Sequence, residues 1–590
     1  MDNRRLLYAI SISLAIMVVF QVVSGYLLPK PPPKPAVHTA TTQPVAPSTA
    51  TTPNTPAAAG GGVSAAMAAK EAAAPRVTID APSVQGSMSL LGARLDDLVL
   101  THYHQTVKKT SPLVRLLSRA GGAKPYYVQF GWDAAPGEHL AVPGSDTLWT
   151  SSGGTLSPGH DVTLSWDNGA GVTFQILLAV DANYMFTMQQ RVVNKTGAKI
   201  EVYPWSRIRR DYLPEVESSY ILYKGPLGAF KGTLHQMGYG DVRSNAKHHD
   251  GTAFQSTDLG GWAGITGKYW LTALIPSQGT EMTGAFRYLP RPDHPKDEAY
   301  QVDYMTAKPV DAAPGASAQV TMHLFAGAKV LSILNAYQSQ YHLPVFDKAI
   351  DFGWFFFLTK PIFLALDFFG HLFGNFGVSI IVFTALLKMA LFPLVRTSYR
   401  SMAKMRAITP KVKEVRELHK DDKMLQQKAI MALYKAEGVS PVAGFLPMIL
   451  QVPIFYALYK VIFISIGLRH APFILWIHDL SAPDPTNIFN LFGLIPFDPT
   501  TISPFLQLGV LPIIMGFTMW GQQMLNPPPA DPTQAKMMRL MPVVFTFILG
   551  RFSAGLVLYY CASNTLTILQ QWLILRNFQH HPRERVDAKV

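Results

Sequence analysis

One lysine stands inside a long apolar run, where a charged group is unexpected. Lys388 follows the apolar residues that begin at Val378 and lies six positions before Leu394, so on a helix it is about 9 Å from the end of the run. Thr384 is one turn earlier on the same face. An ammonium in hydrocarbon costs roughly 3 kcal/mol or more, which favours a position facing a bundle interior or a water-filled cavity. The alternative is a lysine that extends its head group to the lipid phosphates.

Two amide side chains interrupt apolar segments farther along the chain. Gln451 lies in the run 445–466, and Asn564 lies in the run 554–575. Hydrocarbon rejects polar groups that lack hydrogen-bond partners, so we predict that both amides share a hydrophilic groove with Thr384 and Lys388. The alternative for any one of them is a hydrogen bond that only joins two helices.

A densely basic segment follows the run that contains the lysine. Residues 396–435 include 11 Lys or Arg against 4 Asp or Glu. Apolar residues recur there at three- and four-residue spacing on both sides of a turn at 419–422, which predicts a cytoplasmic helical hairpin over residues 396–440. The alternative is a loop whose cations only set the membrane orientation. The candidate recruitment residues of the hairpin are Arg400, Lys404, Arg406, Lys411, Lys413 and Arg416.

The first 345 residues predict an anchored outer domain. Arg4 and Arg5 precede an apolar run, which favours a transmembrane anchor over residues 1–28 with a cytoplasmic start, although a cleaved signal peptide is the alternative. Residues 29–75 are rich in Pro, Ala and Thr and predict a flexible tether. Short alternating strands over residues 76–345 predict a large all-β sandwich outside the cytoplasm.

One β-hairpin of that domain can be predicted from a strand–turn–strand pattern. The run Val162–Trp166 is followed by the turn residues Asp167–Gly169 and then by Val172–Leu178. Alternating apolar residues on both sides of an Asp-Asn-Gly turn are typical of a β-hairpin.

The remaining residues predict a membrane domain of helices. In the segment 346–375, Lys360, Asp367 and His371 share one face, which predicts an amphipathic helix lying at the outer membrane surface. Residues 376–577 predict five spans and the hairpin, and residues 578–590 a basic cytoplasmic tail. With the anchor, the chain is predicted to have six transmembrane helices. The other predicted spans are 445–466, 505–524, a crossing that begins at 541–549, and 554–575.

The amino-acid composition excludes several classes of protein and of functional site. The 590 residues are 48% hydrophobic and 15% charged, with a formal net charge of +13, which is typical of a membrane protein with a sizeable soluble domain. The single cysteine, Cys561, excludes an intramolecular disulfide and a cysteine metal cluster. We interpret His248, His249 and Asp250 as a solvated loop rather than a metal site. Without a phosphate-binding loop or a nucleophile and base pattern, we predict no cofactor and no enzyme activity.

Several motifs carry a resemblance to a known family. They are similar to the YidC/Oxa/Alb family of membrane protein insertases in its Gram-negative form, over about residues 350–577, with a weaker likeness in the outer domain at Gly260–Trp262 and Ala273–Pro276. In that family the groove cation is usually arginine, and this sequence has Lys388 at the matching position, which keeps the charge but loses the planar bidentate fork. The motifs are Ser401–Met405, Ala432–Glu437, Gln451–Tyr459, Ala471–Ser481 and Gly555–Tyr560.

The resemblance implies a function, a fold and partners. It implies an insertase and folding helper for nascent inner-membrane proteins, working alone or beside the Sec translocon, with five spans around a groove and a periplasmic β-supersandwich. It also implies recruitment of the ribosome, the signal recognition particle receptor or anionic lipids by the basic hairpin. Two alternative functions remain possible from the sequence. One is a small-solute transporter with Lys388 as an anion site, and the other is a glycan-binding envelope protein that acts through its outer domain.

Overall fold

The computed structural model describes most of the chain after the predicted tether. A compact unit comprises Asn54–Val590. The predicted anchor 1–28, the tether up to residue 64, His248 and residues 581–590 of the predicted tail lie outside the described residues. The described ranges are 65–214, 222–247, 249–290, 298–438, 446–503, 506–525 and 532–580.

Two large sheets make up the first part of the described chain. Neighbouring strands run antiparallel, except that β1 and β7 pair in parallel. The prediction of a large all-β domain followed by a helical region is therefore confirmed. The strands are β1 Arg76–Asp80, β2 Val84–Ser89, β3 Arg94–His104, β4 Leu113–Leu117, β5 Tyr126–Ala134, β6 Thr150–Ser151, β7 Thr155–Leu156, β8 Val162–Asp167, β9 Val172–Val180, β10 Met185–Asn194, β11 Ile200–Arg210, β12 Gly225–Phe230, β13 Thr233–Gln236, β14 Thr252–Leu259, β15 Trp262–Thr266, β16 Trp270–Pro276, β17 Glu281–Leu289, β18 Ala299–Thr306, β19 Val310–Ala312 and β20 Ser317–Ala328.

The two sheets share one apolar core. The 11-stranded sheet has the order β14-β17-β18-β11-β5-β3-β2-β1-β7, with β19 paired to β11 and β4 paired to β3. The 9-stranded sheet has the order β13-β12-β15-β16-β20-β10-β9-β8-β6. Rings from opposite sheets meet edge to face, with centroids 5.2 Å apart for Trp132 and Phe174 and 5.9 Å apart for Phe230 and Phe286. Such contacts define a sandwich, because the inner faces of two packed sheets interdigitate.

The predicted hairpin is present. Strands β8 and β9 pair with Val162 opposite Leu178, and alternate residues of β9 are buried. Gly169 in the turn has a φ of 72°, which residues with a side chain rarely adopt. Its amide donates to the Asp167 carboxylate at 2.8 Å.

Part of the predicted tether is ordered. Residues Ala65–Ala73 form helix α1, which the sequence interpretation assigned to a flexible segment. Alanine, methionine, glutamate and lysine are strong helix formers, so this stretch differs from the Pro- and Thr-rich residues before it. Glu71 on α1 is buried and pairs with Arg94 at 2.6 Å, which fastens the helix to the sandwich.

The other helices lie mostly in the second half of the chain. Short 3-10 segments occur at Phe346–Ala349, Ile466–Leu468, Ile488–Gly493 and Pro499–Thr501. The α-helices after α1 are α2 Tyr239–Ala246, α3 Leu331–Gln340, α4 Phe356–Phe373, α5 Phe376–Leu418, α6 Lys423–Ala436, α7 Leu446–Ile464, α8 Val510–Leu525, α9 Pro532–Leu549 and α10 Ala554–His580.

Two helix boundaries differ from the sequence interpretation. The span with Lys388 does not end before Arg396 but continues as α5 to Leu418, with Pro393 and Pro410 inside the helix. At 1.5 Å per residue α5 is about 65 Å long, which exceeds a bilayer core. Helix α9 begins at Pro532, before the predicted crossing at 541–549, and therefore includes Lys536 and Arg539. Helix formers on both sides of these boundaries allow the helices to extend.

Helix α4 has two distinct faces. Thr359, Ile362 and Leu366 are buried against the rest of the chain. Exposed apolar residues on the other face include Leu364, Phe368 and Leu372. Lys360, predicted on a polar face, pairs with Asp347 at 2.7 Å, and Asp367 lies 3.7 Å from His371.

Among the described residues, two helices are long and apolar enough to cross a membrane. They are α4 and α5. Helix α7 is apolar over the shorter range Ile449–Ile464. The count of six spans and the surface position of α4 remain predictions.

Ionic and aromatic contacts join the sandwich to the helices. Asp351, in the segment before α4, accepts from the Lys460 ammonium of α7 at 2.7 Å and from the Tyr223 amide at 2.9 Å. Trp262 of β15 donates to the Pro344 carbonyl at 2.8 Å, and its ring meets the buried Phe346 edge to face. The end of the sandwich is therefore fixed to the helical region by contacts on several elements.

A buried lysine at this junction makes stability depend on pH. Lys329 follows β20, is 4% exposed, and donates to Thr266 Oγ1 at 3.0 Å and to the Gly267 carbonyl at 2.8 Å. Burial lowers the pKa of Lys329 from 10.5 to about 7, since desolvation disfavours the ammonium.

We predict that Lys329→Met reduces the pH dependence of unfolding. In the unfolded chain the lysine has its ordinary pKa, so between about pH 7 and pH 10 the unfolded chain binds more protons than the native one, and stability rises with pH. Because of this residue, the free energy of unfolding of the wild type should be about 2 kcal/mol higher at pH 9 than at pH 7. The measurement is chemical unfolding of the purified protein at a series of pH values.

The exposed Lys308 supplies a control. Its side chain is 82% exposed, so Lys308→Met should follow the wild-type pH profile. Equal slopes for the wild type and Lys329→Met would contradict the assignment of this pH dependence to Lys329.

Candidate functional site

Three helices meet at Lys388. Its Nζ lies 3.0 Å from Thr567 Oγ1 on α10 and 3.4 Å from Gln451 Oε1 on α7. The Gln570 side chain of α10 donates to the Lys388 carbonyl at 3.1 Å. The ammonium is half-buried and has oxygen partners from both neighbouring helices, which compensates part of its desolvation cost.

The partners are themselves oriented by further hydrogen bonds. The Thr567 hydroxyl donates to the Ser563 carbonyl at 2.7 Å, so its lone pairs remain for the ammonium. The Gln451 amide accepts from Lys388 with Oε1 and donates with Nε2 to the Tyr559 hydroxyl. The result is a directed chain of donors and acceptors across α5, α7 and α10.

A small cavity lies beside the lysine. Its volume is about 20 Å³, which is room for about one water molecule. This conformation therefore leaves little free space beside the ammonium. The cavity is lined by Lys388, Leu391, Val395, Tyr399, Leu450, Gln451, Ile454 and Gln570.

The four predicted groove residues do not all meet. Lys388 and Gln451 are in contact. The buried Thr384 hydroxyl donates to the Ile380 carbonyl of its own helix at 2.6 Å. Asn564 donates to Thr518 Oγ1 of α8 at 3.2 Å, so it joins α10 to α8. For these two residues the structure shows the contacts expected of local or interhelical hydrogen bonds.

The sequence interpretation missed three contributors to the site. Thr567, Gln570 and Tyr559 all lie on α10. Thr567 is three residues after the predicted Asn564, so helical spacing places the two on neighbouring surface positions. A search of α10 for polar residues at three- and four-residue spacing would have found Thr567.

The basic residues of the hairpin lie on the last turns of α5. Arg400, Lys404, Arg406 and Lys413 are exposed, and Arg416 is half-buried. Lys411 is also exposed and pairs with Glu437, beyond α6, at 2.6 Å. Six cations on one stretch of helix produce a strong positive potential at this end of α5.

The apolar stripe of the hairpin is only partly covered. Ile408 and Val412 of α5 are each 6% exposed, as expected for a packed stripe. Leu418, Met424 and Met431 are 78%, 72% and 56% exposed. The methionines of α6 therefore do not form the interface of the hairpin, because a helix packs through one stripe only.

Family models cover nearly the whole described chain. Residues 76–365 match the model described as YidC periplasmic domain. Residues 368–581 match the model described as 60Kd inner membrane protein.

Curated relatives match over the full length. A membrane protein insertase YidC of Acidiphilium cryptum is 70% identical over 99% of this chain and 98% of its own length. One of Granulibacter bethesdensis is 52% identical over 98% of both chains. One of Methylobacterium radiotolerans is 47% identical over 93% of this chain and 86% of its own length.

Solved structures are more distant. A crystal structure of an active YidC insertase is 15% identical, with a TM-score of 0.35 over 84% of this chain and 94% of that chain. A galactose mutarotase related enzyme from Lactobacillus acidophilus is 10% identical, with a TM-score of 0.29 over 42% of this chain and 97% of that chain. Scores of this size support no conclusion, whereas the full-length identities above do. The chain belongs to the YidC family of membrane protein insertases.

Proposed function

We propose that this protein inserts inner-membrane proteins by offering the Lys388 site to the hydrophilic segment of a substrate. The observation that carries the proposal is an intramembrane ammonium held by oxygens from two other helices, 3.0 Å from Thr567 and 3.4 Å from Gln451. An ammonium has three N–H donors. Two have these partners, and we assign the third to water or to substrate.

The small cavity at Lys388 requires a substrate to replace existing hydrogen bonds of the ammonium. A space of about 20 Å³ admits a water molecule but no peptide segment. A polar segment that enters must therefore replace the Thr567 or Gln451 contact with contacts of its own. Such an exchange is inexpensive, since one hydrogen bond to the ammonium substitutes for another.

The driving force comes from the substrate. Its apolar segment moves from water into lipid, with about 25 cal/mol gained for each Å² of apolar surface removed from water. The membrane potential adds about 2.3 kcal/mol per elementary charge per 100 mV for a negatively charged segment that crosses to the positive side. A positive site about 9 Å from the end of the apolar run lowers the barrier for an acidic segment in particular.

The topology follows from the same proposal. The amino and carboxyl termini are cytoplasmic, residues 29–345 are periplasmic, and six helices span the inner membrane. Helix α4 lies at the outer surface, a placement supported by its exposed Leu364, Phe368 and Leu372. The Lys360–Asp347 pair lies one turn before Leu364, on the same side of the helix.

The basic end of α5 is proposed as the recruitment surface. Nascent inner-membrane proteins would arrive there on the ribosome or through the signal recognition particle receptor, with anionic lipids as a competing partner. The Sec translocon is a proposed partner for substrates with large outer segments.

Lys388 variants test the groove mechanism. We expect Lys388→Arg to retain insertion, Lys388→Ala to reduce it about tenfold and Lys388→Asp to reduce it further, most strongly for substrates with an acidic translocated segment. The magnitude corresponds to about 1.4 kcal/mol, typical of a lost hydrogen bond to a charged group. The measurement is insertion of a single-span substrate into proteoliposomes, with acidic and neutral outer segments compared.

The amount of each folded variant must be measured together with its activity. Removal of an intramembrane charge can stabilise a helical bundle, so the variants are compared at equal folded protein. Thr384→Val serves as a matched control on α5, since its hydroxyl bonds its own helix. Wild-type insertion of both substrates by folded Lys388→Ala would refute the mechanism while leaving the family membership intact.

A hairpin with four fewer cations tests the recruitment surface. Replacing Lys404, Arg406, Lys411 and Lys413 by glutamine should weaken ribosome binding about tenfold or more, because long-range attraction depends on the summed charge. The loss should shrink as salt is raised. The Lys411–Glu437 pair is exposed, so its loss costs the fold only about 0.2–1 kcal/mol. Binding is measured by co-sedimentation of the full chain in nanodiscs with ribosomes.

The matched control removes four positive charges from the sandwich instead. It replaces the exposed Lys124, Lys195, Lys231 and Lys308 by glutamine. Equal ribosome binding by both quadruple variants across the salt series would leave the hairpin as an orientation signal only.

A further inference from the structure

A second cavity lies where the sandwich meets the helices. Its volume is about 470 Å³, within the range of about 300–1,000 Å³ typical of small-molecule sites. Its walls come from the end of β3 with the following loop, the start of α3, one side of α4 and the segment after α7. We call this cavity the outer pocket.

The outer pocket has an excess of positive and hydrogen-bonding groups. Lys109 and Arg469 supply two permanent cations, and Asp367 is its carboxylate. Imidazoles enter from three of its walls, at His102, His104, His371 and His470. Within the described ranges, no three His, Cys, Asp or Glu side chains are placed to hold a metal ion. Cations and imidazoles without metal geometry favour an anionic ligand.

Arg469 is held in place by the sandwich. Its Nη2 donates to the His104 carbonyl at 2.7 Å, and its guanidinium lies 5.5 Å from the Trp270 ring. These contacts fix the plane of the group. The described hydrogen bonds use Nη2, which leaves Nε and Nη1 for a ligand oxygen.

His470 contributes hydrogen bonding rather than charge. Burial, and then the neighbouring Arg469, lower the pKa of His470 below its ordinary 6.5, and Asp479 opposes the effect. The imidazole is therefore mostly neutral at pH 7, with one N–H donor and one acceptor. At this pH the positive charge of the outer pocket comes chiefly from Arg469 and Lys109.

The amino-terminal end of α3 adds backbone donors. Val330, its N-cap residue, is extended and makes no side-chain cap hydrogen bond. Leu331 and Ser332 in the first turn line the outer pocket. The first amides of a helix have no partner within it and carry a partial positive charge, which suits a phosphate oxygen.

One wall of the outer pocket belongs to a helix with an exposed apolar face. Helix α4 contributes Asp367 and His371 to the pocket. On other positions of the same helix, Phe368 and Leu372 are 63% and 62% exposed. A ligand with a phosphate group and acyl chains would match both the polar pocket and these apolar side chains.

We propose that the outer pocket binds a phosphate group, carried by a phospholipid head group or by a soluble phosphate ester. The phosphate contacts Arg469, Lys109 and the first amides of α3. His104 and His371 donate Nδ1–H to the Ser111 and Asp367 carbonyls, so each donates to a phosphate oxygen through Nε2 in its doubly protonated form. Two sources share this chemistry, and they are separated by whether acyl chains are required.

The test uses the full chain in a zwitterionic detergent. Dioctanoyl phosphatidylglycerol is titrated and bound lipid is counted by native mass spectrometry, with dioctanoyl phosphatidylcholine and glycerol 3-phosphate as further probes. We expect phosphatidylglycerol to bind the wild type, and the double variant Lys109→Gln, His371→Gln to bind it on the order of tenfold more weakly. Competition by glycerol 3-phosphate would identify a soluble ester as sufficient, and its failure to compete would identify the lipid.

A matched double variant controls for lost charge. Lys195→Gln with His160→Gln makes the same two changes at exposed positions that do not line the outer pocket, and it should bind like the wild type. Neither pocket substitution touches the Arg469 contacts to β3, and the His371–Asp367 contact that is lost is exposed and local to α4, so the melting temperature should change little. Equal affinity of the two double variants for phosphatidylglycerol, or no binding of phosphatidylglycerol and glycerol 3-phosphate to the wild type, would overturn the proposal.

Discussion

The requirement that a positive charge in an apolar environment has oxygen partners constrains this molecule more than any other interaction. Lys388 and Lys460 both lie on helices made largely of apolar residues, and an ammonium there has to find oxygen partners. Lys388 finds them on α7 and α10, and Lys460 finds the Asp351 carboxylate before α4. Each contact requires elements distant in sequence to meet. The two lysines thus connect the packing of the helices with the position of the sandwich.

The contacts around Asp351 make the junction between the two regions extensive. The same carboxylate accepts from Lys460 and from the Tyr223 amide, and Arg469 holds the end of β3 from the other side. Lys329 lies buried in this junction. A sandwich attached in this way cannot rotate without breaking several polar contacts. The outer pocket lies at the same junction, so its walls are held by the contacts that fasten the two regions.

The small cavity at Lys388 is consistent with the proposal that insertion is an exchange of partners. Thr567 and Gln451 accept from two of the three N–H groups of the ammonium, and a cavity of about one water lies beside it. A preformed channel would expose polar groups to lipid when empty, which hydrocarbon penalises. Lysine suits an exchangeable site, because its compact charge accepts many geometries whereas the planar fork of arginine favours paired oxygens.

Local patterns in the sequence were sufficient for the elements that depend on near neighbours. The alternating residues of β8 and β9 with the turn at Gly169 predicted their hairpin, and the lone lysine in an apolar run predicted a polar site at Lys388. Helix ends were less certain, since α5 passes through Pro393 and Arg396 where composition changes, and α1 forms in a stretch that resembled a tether.

The sequence predicted Gln451 as a neighbour of Lys388, whereas Thr567 was identified only by the tertiary structure. Thr567 and Gln451 are 179 and 63 residues away from it, and which face of α7 and α10 turns towards α5 follows from packing of all the helices together. For the same reason Asn564, equally polar in sequence, contacts Thr518 instead. The sequence by itself determined that a charge lies in the apolar region and needs partners, because the cost of an isolated ammonium depends on residue type. Only the tertiary structure decided which side chains meet it, because hydrogen bonds depend on distances of a few ångströms between remote segments.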